Sequence, residues 1–215
     1  MPTELPHTLK MGDLSLENRI GEGKYRVVYR HSDYAFKVLK PYVKKDYGPF
    51  HVKFPTSLYV KSKFGIIDFN KHEYDNYLGI ISQVPEEMRD SFTQIFEVFY
   101  IDRKSISINE LVINADGQIS KTLRGHGPVK DPVFWERLQK LEDLFLSRNI
   151  PYFDIRDKNI AVKQSKDGHM IPVFIAYKRV GIRTYPLQLH LLTNCGISRR
   201  IKRRFLRIRE LYKPN

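Results

Sequence analysis

The stretch IPYFDIRDKNIAV, Ile150 to Val162, decides how the rest of the chain is read. It sets a carboxylate, Asp154, five residues ahead of an amide, Asn159, and follows both with the small apolar run Ile160-Ala161-Val162. A helix is predicted before it. Asp131-Pro132 is a sound cap and first-turn pair, and PVFWERLQKLEDLFLSRN places Phe134, Leu138, Leu141 and Phe145 on one face. After it, IAVKQSKDGHMIPVFIAYK reads as two short strands joined by a turn at Asp167-Gly168. Asp154 and Asn159 therefore sit on the connection between a helix and a hairpin. Such a pair is either an ordinary polar turn or a set of side chains placed for chemistry.

Upstream, the chain reads as strands. NRIGEGKYRVVYRH has a turn at Gly21-Glu22-Gly23 and then a β-rich run through Val27, Val28 and Tyr29. DYAFKVLK is a second strand, with Asp33 in the hairpin turn before it. A Pro- and Gly-containing stretch, Pro41 to Ser57, comes next. NKHEYDNYLGIISQV then predicts a helix near Asn70 to Val84, with Tyr74, Tyr77, Leu78 and Ile81 on one face. SFTQIFEVFYI predicts a strong strand, and SISINELVINADGQISKTL another, broken by an Asp116-Gly117 turn. ISRRIKRRFLRIRELYK predicts a basic helix with Ile197, Ile201, Phe205 and Ile208 in register. The order is a β-rich region with one helix, then a helical region holding a small hairpin. That is an α+β chain in two lobes, a single domain over 1–215 with an N-lobe at about 16–113 and a C-lobe at about 114–215.

Composition narrows the class. A chain of 215 residues, 41% of them hydrophobic, is long enough to bury a core. No run approaches a membrane span of roughly 20 apolar residues. The first twenty residues carry acidic side chains and no apolar stretch, so no classical signal peptide is expected. The single Cys195 excludes an internal disulfide, and the seven His show no close pair at metal-ligand spacing. The expected compartment is cytoplasmic, in the producing cell or in one into which the protein is delivered. The net charge of +13 points to an anionic partner: nucleic acid, phospholipid or nucleotide phosphates. Zinc-finger spacing and an aromatic RNP pattern are both missing, which argues against nucleic acid.

A phosphate-transfer site needs glycines near phosphates, a cation on them, carboxylate and amide ligands for Mg2+, and a carboxylate beside the nucleophile. Gly21 and Gly23 match the start of G-x-G-x-x-G-x-V, with Val28 as its valine and Arg26 where the third glycine would stand. Lys37 follows Gly23 by fourteen residues, in the next strand, flanked by Phe36 and Val38. Glu73 lies on the following helix and can pair with it. Taken singly, these features read as a plain hairpin, a solvent-facing lysine and a surface acid. The opening stretch carries more. It aligns without gaps with H-R-D-L-x-x-x-N: Tyr152 takes the His position, Phe153 the Arg, Asp154 the Asp, Ile155 the Leu and Asn159 the Asn. Arg156 stands where a Lys is usual.

With these motifs in this order, about residues 16 to 192 resemble a protein-kinase-like fold in a minimal bacterial form. The chain is similar to the PhoP-regulatory-network protein YrbL family through IGEGKYRVVYRH, LVINADGQISKTL and a Pro186-Leu187 pair followed by a basic helix. It also resembles the small kinase effectors that bacteria inject into host cells, through D-I-R-x-x-N and P-V-F-I-x-Y-K-R-V. The resemblance implies a β-rich N-lobe, a reduced helical C-lobe, ATP bound between them, and phosphate transfer, as a serine/threonine kinase, to a protein substrate. It implies that Gly21, Gly23 and Val28 cover the nucleotide, and that Lys37, oriented by Glu73, holds the α/β-phosphates. The base would lie near Leu111 to Asn114, Val112 included. Asp154 would accept the proton of the incoming hydroxyl, Arg156 would neutralise charge on the transferred group, and Asn159 would hold Mg2+, with Mn2+ as the alternative.

Three positions depart from the pattern. The metal-binding Asp of D-F-G falls at Ala176, with Tyr177 in the Phe position, and an alanine offers a metal no oxygen. Phosphate transfer is therefore expected to be very poor. Either the chain is a natural pseudokinase, or an Asp-to-Ala substitution was made to trap an inactive form. The survival of Lys37, Glu73, Asp154 and Asn159 favours the second. Phe153 removes the arginine that meets an activation-loop phosphate, so no such control is expected. Only 39 residues follow Ala176, which leaves little of the usual substrate platform. The alternative function is a binding module that docks an acidic partner through its last helix, where residues 199 to 213 hold eight Lys or Arg and one Glu.

Overall fold

The computed structural model describes residues 14–23, 26–40, 68–101, 104–178 and 193–214. The Pro41 to Ser57 stretch and the Pro186-Leu187 pair lie outside the described residues. The chain is α+β, with a five-stranded antiparallel sheet, a separate two-stranded sheet and helices. It divides into two compact units: Met1–Tyr74 with Ile95–Leu111, and Asp75–Gln94 with Val112–Asn215. Among the described residues no helix is long and apolar enough to cross a membrane.

The first unit is built on a sheet whose two faces differ in chemistry. Its strands are β1 (Arg19–Glu22), β2 (Arg26–His31), β3 (Tyr34–Leu39), β4 (Ile95–Ile101) and β5 (Lys104–Glu110), in the order β1-β2-β3-β5-β4. Alternation sends Tyr34, Phe36 and Val38 of β3 and Ile106 and Ile108 of β5 to one face, where they bury with Leu14. Burying each large side chain there contributes about 1.5–3 kcal/mol. The other face carries Ala35 and Lys37 of β3 opposite Asn109 and Ser107 of β5, with Ser105 one step further along. These small and polar side chains are buried as well.

Helix α1 (Phe69–Ile81) differs from its expected face and end. Its buried positions are Asn70, Glu73, Tyr77 and Ile80, whereas Leu78 is 45% exposed. Polar pairing of Asn70 and Glu73 with the sheet sets this orientation, and apolar periodicity alone cannot reveal it. The helix stops at Ile81 rather than Val84 because Pro85 disfavours α geometry at the residue before it. A 3-10 turn, Glu86–Ser91, then occupies the start of the expected strand, so β4 begins only at Ile95. The turn expected at Gly21-Glu22-Gly23 is also displaced: Gly21 and Glu22 belong to β1.

In the second unit a short helix α2 (Leu123–His126) precedes α3 (Pro132–Ser147), and β6 (Ile160–Gln164) pairs with β7 (Met170–Phe174). The chain returns in α4 (Asn194–Tyr212). The α3 face expected from periodicity is buried, as are Ile197, Ile201, Phe205 and Ile208 of α4. Phe145 of α3 is the hub of an aromatic cluster, with ring centres 5.4 Å from Tyr152, 6.0 Å from Phe174 and 6.1 Å from both Phe92 and Phe205. The turn joining β6 to β7 places Gly168 at φ 85°, a conformation glycine adopts without strain.

Asp131 joins two of these elements. Its Oδ1 accepts from Val133 N at 2.8 Å, capping α3, and its Oδ2 accepts from Met170 N at 2.7 Å, where β7 begins. Burial works against the charged carboxylate, but the Met170 and Val133 amides and His169 outweigh it, and the group is held below the ordinary 3.8. A depressed folded-state value stabilises above the ordinary value and is lost as pH falls through the folded value. Asp131→Ala is expected to lower stability by about 1–2 kcal/mol at neutral pH. In urea titrations across the acid range, the gap to the unsubstituted protein should shrink as pH falls below 3.8.

Candidate active site

In the first unit the expected Lys37–Glu73 pair forms, and it has an additional member. Lys37 Nζ lies 3.6 Å from Glu73 Oε1, with the two residues 8% and 1% exposed. Arg26, the residue in the third-glycine position, is itself buried and pairs with the other oxygen of Glu73. Its Nη1 also donates to Asn70 Oδ1 at 3.1 Å. Asn70 Nδ2 in turn donates to Lys37 O and Ser105 O, both at 2.9 Å. A buried carboxylate is tolerated only when paired and hydrogen-bonded, and β2 and β3 supply a cation each. The signal for Arg26 was present in the sequence, as a long cation that interrupts a glycine pattern at the start of a strand. Asn70 carried no such signal.

The helix bearing Glu73 is anchored at its first turn by Asp68. Its Oδ1 accepts from Asn70 N at 2.8 Å and Lys71 N at 3.1 Å, and from the Ser105 hydroxyl at 2.8 Å. Burial opposes its charge, and these bonds with one from the Tyr100 hydroxyl hold it below the usual carboxylate value.

The glycines are placed differently from expectation. Gly23 N–H donates to Arg26 O at 2.8 Å, closing the β1–β2 hairpin, so that amide is already engaged. A Cβ at Gly21 would meet Val28 Cβ at 4.0 Å, and one at Gly23 would meet Arg26 O at 3.8 Å, both ordinary contacts. The fold itself therefore does not require glycine at either position. Val28 lies on β2 opposite Lys37 of β3.

In the second unit the stretch from Tyr152 to Ile155 is buried, with Asp154 at 3% exposure. Arg156 then precedes a 3-10 turn, Asp157–Asn159, that leads into β6. Arg156 Nη2 stands 3.4 Å from Asp154 Oδ1, and Asn159 Nδ2 donates to Asp154 O at 3.0 Å. Asn159 O accepts from Ile175 N at 3.0 Å, and the Tyr152 hydroxyl donates to Ala176 O at 2.6 Å. These bonds tie the loop carrying Asp154 and Asn159 to the chain at residue 176. Tyr152 thus serves as a hydrogen-bonding strut, a role that its alignment with the His position did not specify. Val112 packs with Ala161 and Val173, and its carbonyl accepts from Ser120 N at 2.9 Å.

Asp157 is a further anchor that sequence reasoning missed. Arg124 Nε donates to it at 2.9 Å and the Tyr212 hydroxyl at 2.8 Å. Burial disfavours its charge, but Arg124, Tyr212 and the Lys158 amide hold its carboxyl below the ordinary value. Near the other end of α4, the Arg200 guanidinium lies 4.7 Å from the centre of the Phe153 ring. The last helix therefore holds the loop at two points, Phe153 and Asp157.

Among the described residues no group of three or more His, Cys, Asp or Glu side chains converges to hold a metal ion. Two buried side-chain atoms among the described residues have no hydrogen-bond partner: Arg156 Nε and Asn109 Oδ1.

Removing the Tyr152 hydroxyl should loosen the tie to residue 176. Tyr152→Phe leaves the Ala176 carbonyl without that donor and is expected to cost about 1–3 kcal/mol, with faster amide exchange at Ile175 as the local readout. Arg26→Met leaves Glu73 with one cation fewer and should cost up to about 3 kcal/mol by chemical denaturation. No protein-family model matches the chain, and a search of curated proteins finds no similar sequence.

Proposed function

We propose that the chain is a protein-kinase-like domain that binds ATP, built for phosphate transfer to a protein hydroxyl and impaired in that transfer by Ala176. The observation that carries this reading is the bond from the Tyr152 hydroxyl to Ala176 O. It sets residue 176 beside the loop of Asp154 and Asn159, where a metal carboxylate belongs in the H-R-D-L-x-x-x-N and D-F-G pattern. The Lys37–Glu73 pair supports the same reading from the other unit.

In this reading Lys37 holds phosphate oxygens while Glu73 orients it, and Arg26 keeps Glu73 in place. The glycines leave space that a Cβ would otherwise fill. Asp154 accepts the proton of an incoming serine or threonine hydroxyl. Arg156 sits beside it with a buried Nε–H lacking an acceptor, which suits a phosphoryl oxygen. The donor set for Mg2+ or Mn2+ is incomplete. Asn159 offers one neutral amide oxygen, Ala176 offers none, and hard cations take several oxygen ligands. The residues present do not fit a resident divalent ion, so no step is assigned to one. The protein would act in the cytoplasm of its own cell or of a host cell.

A second reading has its own observation. Arg199, Lys202, Arg203 and Arg207 of α4 are exposed, while the apolar stripe of that helix is buried. A nucleotide-binding domain without transfer could dock an acidic protein on that surface.

The two readings separate in one experiment. Labelled ATP with Mg2+ or Mn2+ is offered to the Ala176→Asp protein and to the Ala176→Asp, Asp154→Ala protein, with generic proteins as acceptors. Transfer is expected with the first and not with the second. Nucleotide binding without transfer in either would favour the docking module, and failure to bind nucleotide would sink the kinase reading.

A further inference from the structure

A cleft of about 530 Å3 opens within the second unit, between the start of α3 and the end of α4. Its volume falls in the range of ligand sites, roughly 300–1,000 Å3. Two hydrogen bonds fix its walls. Val129 N–H donates to Tyr212 O at 3.1 Å, and Val129 O accepts from Trp135 Nε1 at 2.8 Å. A lysine follows each end of that backbone bridge, so Lys130 and Lys213 both line the cleft. Both are exposed, and neither ammonium group has an ion-pair partner among the described residues. Arg209, the third lining cation, is already engaged by Gln139 Oε1 at 2.7 Å and by the carboxylate of the buried Glu142. The fold thus brings two like charges to one concavity and supplies neither with a counterion.

The rest of the lining narrows the class of ligand. Two uncompensated ammonium groups attract carboxylates or phosphates. Glu136 also lines the cleft, exposed and without an ion-pair partner among the described residues. A chain of phosphates offers acceptors only and would set its charge against Glu136. A peptide carries amide N–H donors that Glu136 can accept, beside acidic side chains that the lysines attract. Trp135 is 7% exposed and its indole N–H is committed to Val129, so it offers no open face on which a base could stack. A concavity also suits a planar lipid surface poorly. We propose that this cleft docks a short acidic segment of a partner protein, with carboxylates on Lys130 and Lys213 and a backbone N–H on Glu136. The site is distinct from the exposed Arg199 and Arg203 of α4 and needs no nucleotide, so it stands or falls independently of phosphate transfer.

Trp135 is the single tryptophan of the chain, so its emission reports on the cleft directly. The full chain is titrated with blocked penta-glutamate, blocked penta-glutamine, inorganic phosphate, a short oligothymidylate and phosphatidylserine vesicles, with calorimetry alongside. Penta-glutamate is expected to bind saturably and shift the emission, and the other four to bind at least about tenfold more weakly. Lys130→Glu with Lys213→Glu should weaken penta-glutamate binding about tenfold. Arg199→Glu with Arg203→Glu should change it less than about twofold at physiological salt. No binding of penta-glutamate overturns the proposal, as does binding that survives the exchange at Lys130 and Lys213. Phosphate, oligothymidylate or vesicles binding as tightly as penta-glutamate overturn the assignment to a peptide. Should the doubly substituted protein fail to fold, penta-glutamate against the other four ligands on the unsubstituted protein still decides.

Discussion

A carboxylate at 1% exposure imposes conditions on everything around it, and Glu73 imposes them on the first unit. Left alone in that environment it would take up a proton or unfold its surroundings. It is retained because Arg26 and Lys37 reach it from adjacent strands, while Asn70 links Arg26 to the backbone of β3 and β5. The helix orientation, the polar face of the sheet and the burial of Lys37 all follow from satisfying this one charge. The apolar face with Phe36, Ile106 and Ile108 supplies the hydrophobic driving force that offsets the desolvation. Each face of the sheet therefore has a separate task, cohesion on one side and charge placement on the other.

The second unit solves a different problem with different means. Its loop from Tyr152 to Asn159 is neither helix nor strand over most of its length, so its backbone groups need partners outside regular structure. Tyr152 belongs at once to the aromatic cluster around Phe145 and to the bond with Ala176. The packing therefore fixes the position of the polar groups that follow. Rigid support of this kind is what lets a loop present a carboxylate such as Asp154 in one orientation.

Much of this arrangement was legible in the sequence where apolar periodicity and turn chemistry agree. The α3 helix with its Asp131 cap, the β6–β7 hairpin with its glycine turn, and the buried stripe of α4 stand where spacing put them. The face of α1 was not legible, because it is set by Asn70 and Glu73 rather than by hydrophobic residues. The Gly21 to Gly23 segment misled for a related reason. Glycine signals a turn only when it needs unusual backbone angles, and these two have ordinary ones. At the candidate site, Lys37 and Glu73 were found as a pair, while Arg26 as their third member was visible only as an exception to a motif. The Asp157 to Tyr212 bond links residues 55 positions apart, and no local pattern signals a contact of that range.

That last contact has a consequence for the order of assembly. The loop carrying Asp154 is clasped by residues of α4, at Arg200 and again at Tyr212. Contacts of long sequence separation form late, because the intervening chain must first be brought to closure. During synthesis the helix and hairpin on either side of the loop can emerge and pack well before Tyr212 leaves the ribosome. The loop carrying Asp154 therefore waits on α4 for both clasps, and a nascent chain truncated before that helix would lack them together with the buried Phe205.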